Sequence, residues 1–275
     1  MPYRSIHVPL SWGLMSGAPL QAAKALAGRF GAEITVFLPL VDPQQSVVYV
    51  GEGATHAVIE TLMDASQREN TDRTERAEGL FEQYLRDVPQ AKLVKETGRD
   101  TELVANRARL CDLTITAQPD DGARLEESAL EAVLYEGGHG LLIVPEDAAG
   151  ALDQAPGHVV VAWNDTPEAA RGVSAALPLL AEAGKVTIVS SADGARDVKA
   201  YLAAHDIEAA TAQLETPDGL FDDKTGEAIL AVSDELGANL IVMGAFSHSR
   251  LHRLILGGAT KTVMRHAKVP VLMAH

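Results

Sequence analysis

The sequence predicts an α/β protein made of two tandem, doubly wound, five-stranded parallel-sheet domains. The first observation is the length of 275 residues, which corresponds to about two domains of average size. Second, short apolar runs rich in β-branched residues alternate with longer Ala/Leu-rich segments, as do strands joined by helical crossovers. Third, the order of these segments repeats once along the chain, which favours a duplicated unit.

The strands of the two copies can be matched in order. The first strand is predicted at 6–10 and again at 159–163, and the second at 32–37 and 184–189. The remaining strands are predicted in three further pairs, which are 92–95 with 211–214, 111–116 with 238–243, and 140–144 with 270–274. Each first strand is followed by a turn and an Ala/Leu-rich helix, so the crossovers match as well.

The connection between the copies is predicted at 146–157, where small residues, acids and a proline occur together. We place the boundary near Ala151, which gives domains 1–150 and 151–275. In both domains we expect the first and fourth strands to be central, since a doubly wound sheet reverses its strand order there.

The first copy carries an insertion at 45–89 that the second lacks. Its segment 66–76 alternates in charge and then gains an apolar stripe formed by Leu80, Phe81, Tyr84 and Leu85. Spacings of three and four predict an exposed helix with one apolar face. We favour a solvated helix that covers the sheet over one that binds a partner.

The formal net charge is −15, from 23 basic and 38 acidic residues, which argues against a general nucleic-acid binder. The charge is uneven, because 236–275 contains no Asp or Glu. The basic residues of this acid-free segment are Arg250, Arg253, Lys261, Arg265 and Lys268. The acid-free segment therefore favours the binding of an anion.

Several function classes are excluded or disfavoured. A single cysteine, Cys111, forms no intramolecular disulfide and no zinc site of several thiolates. His248 and His252 are spaced for one helix face, but cations surround them and we expect no metal site. Cys111 and His7 lie in apolar surroundings and are expected in the core.

The sequence contains no G-x-S-x-G turn, no G-x4-G-K-[ST] phosphate loop and no G-x-G-x-x-G fingerprint. We therefore do not expect an enzyme. No signal-peptide pattern and no apolar run of membrane-spanning length occurs, so a soluble cytoplasmic protein without a membrane partner is expected.

The most promising ligand site is at the carboxyl ends of the second copy's central strands. There 163–166 and 244–247 should face each other, and 257–260 opens the last helix. Two glycines at a helix start let an anion reach free backbone N–H groups. The same glycines would also permit a simple tight turn, and the residues alone do not decide between the two.

The segment 243–263, followed by 268–272, resembles the C-terminal signature of universal stress proteins, and the two-copy layout resembles their tandem form. The resemblance implies an adenine nucleotide alpha hydrolase-like fold. Members that bind ATP carry a G-x2-G-x9-G-[ST] motif. Gly244 and Gly257 match its first and third glycines, whereas Ser247 and Gly258 depart from its other two positions. An aspartate after the first strand of such members corresponds here to Asn164.

The resemblance implies a stress-response regulatory protein whose C-terminal domain binds ATP or a related adenine nucleotide, with no metal beyond nucleotide-bound magnesium. It assigns Asn164 to the nucleoside and Arg250 to a phosphate. The remaining contacts to phosphate or ribose would come from Met243, Gly244, Ser247, Gly257, Gly258, Ala259 and Thr260. The departures at Asn164, Ser247 and Gly258 keep an alternative open, which is a nucleotide-free module that acts through protein contacts.

The first copy departs much further from the motif. Ser11 stands at the position of the first-strand aspartate, and four carboxylates follow the fourth strand, at Asp120, Asp121, Glu126 and Glu127. Like charges disfavour a phosphate there. We expect this copy to bind no nucleotide and to pair with the second copy through edge strands as an internal pseudo-dimer. Further homodimerisation stays open.

Overall fold

The computed structural model describes residues 2–11, 14–43, 56–120, 124–190, 194–214, 223–245 and 258–275. Within these residues, ten strands form one sheet. The strands of the N-terminal half (1–150) are β1 (Ser5–Pro9), β2 (Glu33–Leu40), β3 (Ala91–Thr97), β4 (Leu113–Ala117) and β5 (Gly140–Val144). Those of the C-terminal half (151–275) are β6 (His158–Trp163), β7 (Lys185–Ser190), β8 (Ala209–Gln213), β9 (Leu240–Gly244) and β10 (Val271–Ala274).

The strand order across the sheet is β3-β2-β1-β4-β5-β10-β9-β6-β7-β8. Neighbouring strands within each half are parallel, as helical crossovers require. The exception is the junction of β5 with β10, which pair antiparallel with Leu142 opposite Leu272. Both halves therefore have the same internal order, and their strands run in opposite directions.

Helices cover both faces of the sheet. Their bounds are α1 (Ala18–Phe30), α2 (His56–Leu85), α3 (Asp100–Ala108), α4 (Arg124–Ala132), α5 (Pro167–Glu182), α6 (Arg196–Ala203), α7 (Asp223–Glu235) and α8 (Gly258–His266). One core cluster packs α1, α2, α5 and α6 on the first face. A second cluster packs α3, α4, α7 and α8 on the other face.

The predicted α/β class and strand order are confirmed. The ends of β1, β3 and β8 lie one or two residues from their predicted positions, because a hydrophobic run indicates where a strand lies more sharply than where it ends. The predicted linker begins with a short 3-10 segment, Glu146–Leu152. The domain boundary near Ala151 stays a prediction.

The insertion at 45–89 forms a 30-residue helix, α2, for its described part. Residues 45–55 lie outside the described residues. The predicted apolar stripe is present, with Leu85 buried and Leu80, Phe81 and Tyr84 packed against the core. The prediction of a helix that covers the sheet is thus confirmed for 56–85, although polar side chains of α2 contribute more to its attachment than the pattern indicated.

Cys111 and His7 are buried, at 6% and 2% exposure, as the apolar surroundings predicted. Among the described residues, no helix combines the length and apolar character needed to cross a membrane.

Candidate functional site

The strand order creates a switch point in each half, between β1 and β4 and between β6 and β9. Crossovers leave these neighbouring strands in opposite directions, which opens a crevice at their carboxyl ends. Among the described residues of the C-terminal half, this crevice is bounded by the β6–α5 connection and the end of β9, and α8 is the next described helix along the chain. Most of the predicted site residues belong to these three places.

The β6–α5 connection is only three residues long, 164–166. Thr166 caps α5, since its Oγ1 accepts the N–H of Ala169 at 3.2 Å and Pro167 fills the first helical position. The same hydroxyl donates to Oδ1 of the exposed Asn164 at 2.8 Å. Asp165 adopts a left-handed conformation with φ of 55°, which aspartate tolerates better than most residues. The Thr166 hydroxyl therefore holds the Asn164 side chain in place.

Gly244 ends β9 directly beneath the first turn of α5. A Cβ at this position would overlap the backbone of Glu168 and Ala169. One turn further along α5, a Cβ at Gly172 would lie 2.5 Å from the carbonyl oxygen of Met243. Both glycines let α5 and β9 approach closely, so Gly244 has a packing role in addition to its predicted ligand role.

Gly258, Ala259 and Thr260 form the first turn of α8, as predicted for the last helix. Gly258 and Ala259 are half-buried, whereas Thr260 is only 4% exposed. Helix α7 packs closely against this turn. A Cβ at Gly226, on α7, would lie only 2.8 Å from the carbonyl oxygen of Ala259. The first N–H groups of α8 thus have a defined position relative to α7.

Met243 and Trp163 belong to opposite faces of the sheet. The Met243 side chain is 6% exposed and packs in the cluster that contains Ile229 and Val263. Trp163 packs on the other face, and its buried indole N–H has no acceptor among the described residues. Ser247, Arg250 and Gly257, three further predicted site residues, lie outside the described residues.

The two sides of this crevice differ in charge. The α5 side carries Asp165 and Glu168, of which Glu168 lies 3.6 Å from Arg171. The α8 side belongs to the acid-free segment, and its helix has no acid in the first turn and two basic residues, Arg265 and His266, in the last. Carboxylates accept hydrogen bonds from hydroxyl and amino groups, while a helix N-terminus attracts an anion. The arrangement suits a ligand with a neutral polar end and an anionic end.

Comparison with known proteins bears on the family of the C-terminal half and on the fold. The sequence model of the universal stress protein family matches residues 156–275. The C-terminal half is a universal stress protein domain. Among curated protein sequences, none matches the chain significantly.

Solved structures extend the likeness of fold beyond this universal stress protein domain. A universal stress protein from Archaeoglobus fulgidus is 18% identical with a TM-score of 0.65, over 98% of this chain and 95% of that one. A universal stress protein assigned in Pseudomonas aeruginosa UCBPP-PA14 is 14% identical with a TM-score of 0.60, over 98% and 92%. A functionally unknown protein from Pseudomonas aeruginosa PAO1 is 13% identical with a TM-score of 0.58, over 98% and 92%. At these identities the likeness shows the fold alone.

The N-terminal half has a crevice at the same place, but α2 fills it. The Arg73 side chain, on α2, lies 3.7 Å from the Asp100 carboxylate and 3.5 Å from the Leu10 carbonyl oxygen. Ser11, which corresponds to Asn164 of the universal stress protein domain, is 1% exposed and donates to Asp100 at 3.0 Å. Burial lowers the pKa of the Arg73 guanidinium, and the Asp100 charge opposes that shift. A guanidinium thus occupies the end of β1.

Two more polar side chains attach α2 to this end of the sheet. Asn70 donates to the Val41 carbonyl at 2.8 Å and accepts the Val41 N–H at 3.0 Å, as an adjacent strand would. Arg76 donates to the Met15 carbonyl at 2.9 Å. The Tyr84 ring lies over Gly17, where a Cβ would overlap it. No periodicity signals such contacts, because they pair side chains with backbone groups of another element.

The histidines and the cysteine do not form a second site. Burial, followed by the nearby Arg107 charge, lowers the pKa of His7 to about 3, so its ring is neutral at pH 7. Burial raises the pKa of the Cys111 thiol to about 11, which disfavours a reactive thiolate. Within the described part of the chain, no three His, Cys, Asp or Glu side chains cluster to hold a metal. His248 and His252 lie outside that part.

Proposed function

We propose that the C-terminal universal stress protein domain binds ATP or a related adenine nucleotide and that the protein is a cytoplasmic stress-response regulator rather than an enzyme. The nucleoside lies at the β6–α5 connection, and the phosphates lie over the β9–α8 connection and the first turn of α8. Any magnesium enters with the nucleotide.

The charge separation across the crevice carries this proposal. Asn164, Asp165 and Glu168 border the α5 side, where ribose hydroxyls and the adenine amino group need acceptors. The acid-free segment borders the other side, where phosphates need N–H groups and cations. A bulk charge of −15 does not oppose a small anion whose own surroundings are basic.

The N-terminal half supports the assignment of a single site. Arg73 and α2 occupy the end of β1, and Asp100 lies beside Ser11 where a nucleoside would otherwise lie. We therefore assign to this half a scaffolding role, with no nucleotide. The chain then works as an internal pseudo-dimer in which one crevice binds ligand.

A nucleotide-free module that acts through protein contacts is the second candidate. The specific observation in its favour is the hydrogen bond from Thr166 to Asn164, which already uses one acceptor that a ligand would need. Slow ATP hydrolysis has less support, since the described carboxylates of the crevice, Asp165 and Glu168, lie on the side proposed for the nucleoside and not on the side proposed for the phosphates.

The first experiment measures nucleotide directly. Freshly purified protein is denatured, the supernatant is chromatographed for adenine nucleotides, and the apo protein is titrated with ATP by calorimetry. In a Trp12→Phe background, Trp163 fluorescence gives an independent titration, because Trp163 adjoins Asn164. Release of no nucleotide together with no binding heat at millimolar ATP favours the interaction module.

Two variants sharpen the result. Gly257→Val is expected to abolish binding, and its matched control is Gly28→Val, at an exposed helical glycine whose Cβ would meet nothing within 4 Å. Asn164→Asp keeps the acceptor for Thr166 and adds a charge suited to ribose hydroxyls, so it should tighten binding. A nucleotide bound equally well by Gly257→Val would place the phosphates elsewhere.

A further inference from the structure

We infer that the N-terminal half positions the proposed nucleotide site, chiefly through Gln118, and so sets its affinity. This inference rests on the proposed function. Gln118 follows β4, at the end of the N-terminal half's own crevice, yet its side chain belongs to the packing of the other half. Its Nε2 donates to the carbonyl oxygens of Met264 at 3.0 Å and Ala267 at 2.9 Å.

These two carbonyls are at the C-terminal end of α8. The last carbonyls of a helix have no partner within it, and an outside donor has to satisfy them. Ala267 closes the helix by donating to Val263 at 3.1 Å, which leaves Met264 and Ala267 to Gln118. Gln118 is itself fixed, because its backbone N–H donates to Val144 at the end of β5 at 3.2 Å. The cap of α8 is therefore built on the N-terminal half.

The cap at the C-terminal end of α8 affects the position of its N-terminal end, because the helix is short and packs as a single rigid unit. It spans nine residues, Gly258–His266, with Val263 and Met264 buried in the core. Its first turn supplies the N–H groups proposed to bind phosphate. A shift or fraying of the C-terminal turn changes how that first turn is presented.

A second contact from the same half lies at the end of β9. The Tyr135 ring packs edge-on against the His275 ring, with centroids 4.4 Å apart. His275 Nδ1 lies 3.1 Å from the Ala245 carbonyl oxygen and, in the tautomer that donates, bonds to it. Ala245 precedes the segment 246–257 and α8 follows it. N-terminal residues thus contact the C-terminal end of α8, through Gln118, and the histidine that bonds to the end of β9, through Tyr135.

The test compares three variants with wild type. Gln118→Met keeps the length of the side chain and removes both donors. Gln118→Lys restores a donor and adds a positive charge near a helix C-terminus, where it is favourable. The control is Gln21→Ala, another glutamine of the N-terminal half that donates to a side chain, Asp153 at 3.2 Å, in the linker region.

For Gln118→Met we expect ATP affinity to fall about fivefold and amide hydrogen exchange across α8 to become faster. Gln118→Lys should remain within about twofold of wild type, and Gln21→Ala should match wild type in both measurements. Tyr135→Leu serves as a second test of weakened binding if Gln118→Met does not fold.

The two measurements separate the claims. If wild-type protein binds no nucleotide, the proposed function fails, and hydrogen exchange alone decides whether Gln118 holds α8. If Gln118→Met binds ATP like wild type, or exchanges its α8 amides at the wild-type rate, the positioning role is wrong. Equal loss in Gln118→Met and Gln118→Lys would also overturn it, since the donor would then be irrelevant.

Discussion

The two halves share one strand order and differ at the connection that follows the first strand. In the C-terminal half, three residues join β6 to α5, and the helix begins directly over the end of β9. In the N-terminal half, residues 10–17 join β1 to α1, and α2 packs across that longer connection. At the position of Gly244 the N-terminal half has Ala117, which is buried.

This difference shows how one topology produces two unlike crevices. A short connection brings a capped helix so near to the sheet that the strand must end in glycine. A longer connection moves the helix start away, accepts a Cβ at Ala117 and leaves space at the strand end. In this chain α2 and the Arg73 side chain occupy that space.

The largest effect on the free energy of unfolding is expected for a substitution at the end of β9. Gly244→Val places methyl groups against the α5 backbone, which cannot move without displacing the helix. We expect a loss of about 4 kcal/mol in the free energy of unfolding. Urea denaturation measures it, with Ala117→Gly as the counterpart, for which about 1 kcal/mol is expected. Similar losses in both halves would contradict the proposed role of the short connection.

The second largest effect on stability is expected in the N-terminal crevice, which α2 and Arg73 fill. Arg73→Met leaves the Asp100 carboxylate, whose side chain is 19% exposed, without its guanidinium. We expect about 3 kcal/mol of destabilisation, because one member of a largely buried ion pair is lost. Thermal unfolding is the measurement. Adding Asp100→Asn should recover part of the loss, whereas strict additivity of the two changes would show that the pair is not coupled.

The pH dependence of stability is expected to come from His7, whose surroundings differ from those of His158. His158 has both ring nitrogens hydrogen-bonded, at 2.9 Å to Leu236 and 2.8 Å to Thr187, whereas Nε2 of His7 has no partner within the described chain.

The pKa of His7 falls from 6.5 to about 3 on folding, so the unfolded chain binds the proton more tightly. Stability from His7 is therefore complete above pH 6.5 and is lost as the pH falls towards about 3. Between pH 6.5 and about 4.5, wild type should lose roughly 2 kcal/mol more than His7→Phe. Parallel stability curves for the two proteins would refute the buried neutral ring.

The smallest effect is expected for surface ion pairs, in which the halves do not differ. Lys268 lies 3.0 Å from Asp234 in the C-terminal half, and both side chains are mostly exposed. Lys95 pairs with Glu78 in the N-terminal half. Lys268→Ala and Lys95→Ala should each change unfolding by no more than about 0.5 kcal/mol. A larger change at either lysine would mean that its contacts extend beyond the ion pair.

The sequence predicted what hydrophobic periodicity encodes. The strands, the last helix and the burial of His7 and Cys111 all follow from apolar runs that alternate with helical segments. The insertion helix was predicted from its stripe, but its attachment through Asn70, Arg73 and Arg76 was not. Those side chains bond to backbone groups brought near only by the fold, and an isolated polar residue carries no sign of its distant partner.

For the candidate site, the sequence likewise predicts the location but not all of the contacts. Its place at the strand ends follows from the order of elements, and the Thr166-Pro167 start of α5 is a recognisable cap. The packing role of Gly244 depends on the length of a connection elsewhere in the chain. Nothing in the sequence indicated the role of Gln118. A glutamine after a strand is common, and only the fold places the end of a helix from the other half beside it.

The antiparallel pairing of β5 with β10 has a consequence for binding partners. Because the strands of the two halves run in opposite directions, their carboxyl ends open at opposite ends of the ten-stranded sheet. A protein that docks on the end covered by α2 therefore approaches from the side remote from the crevice that we propose to bind nucleotide. Docking and ligand exchange can then proceed at the same time without steric competition.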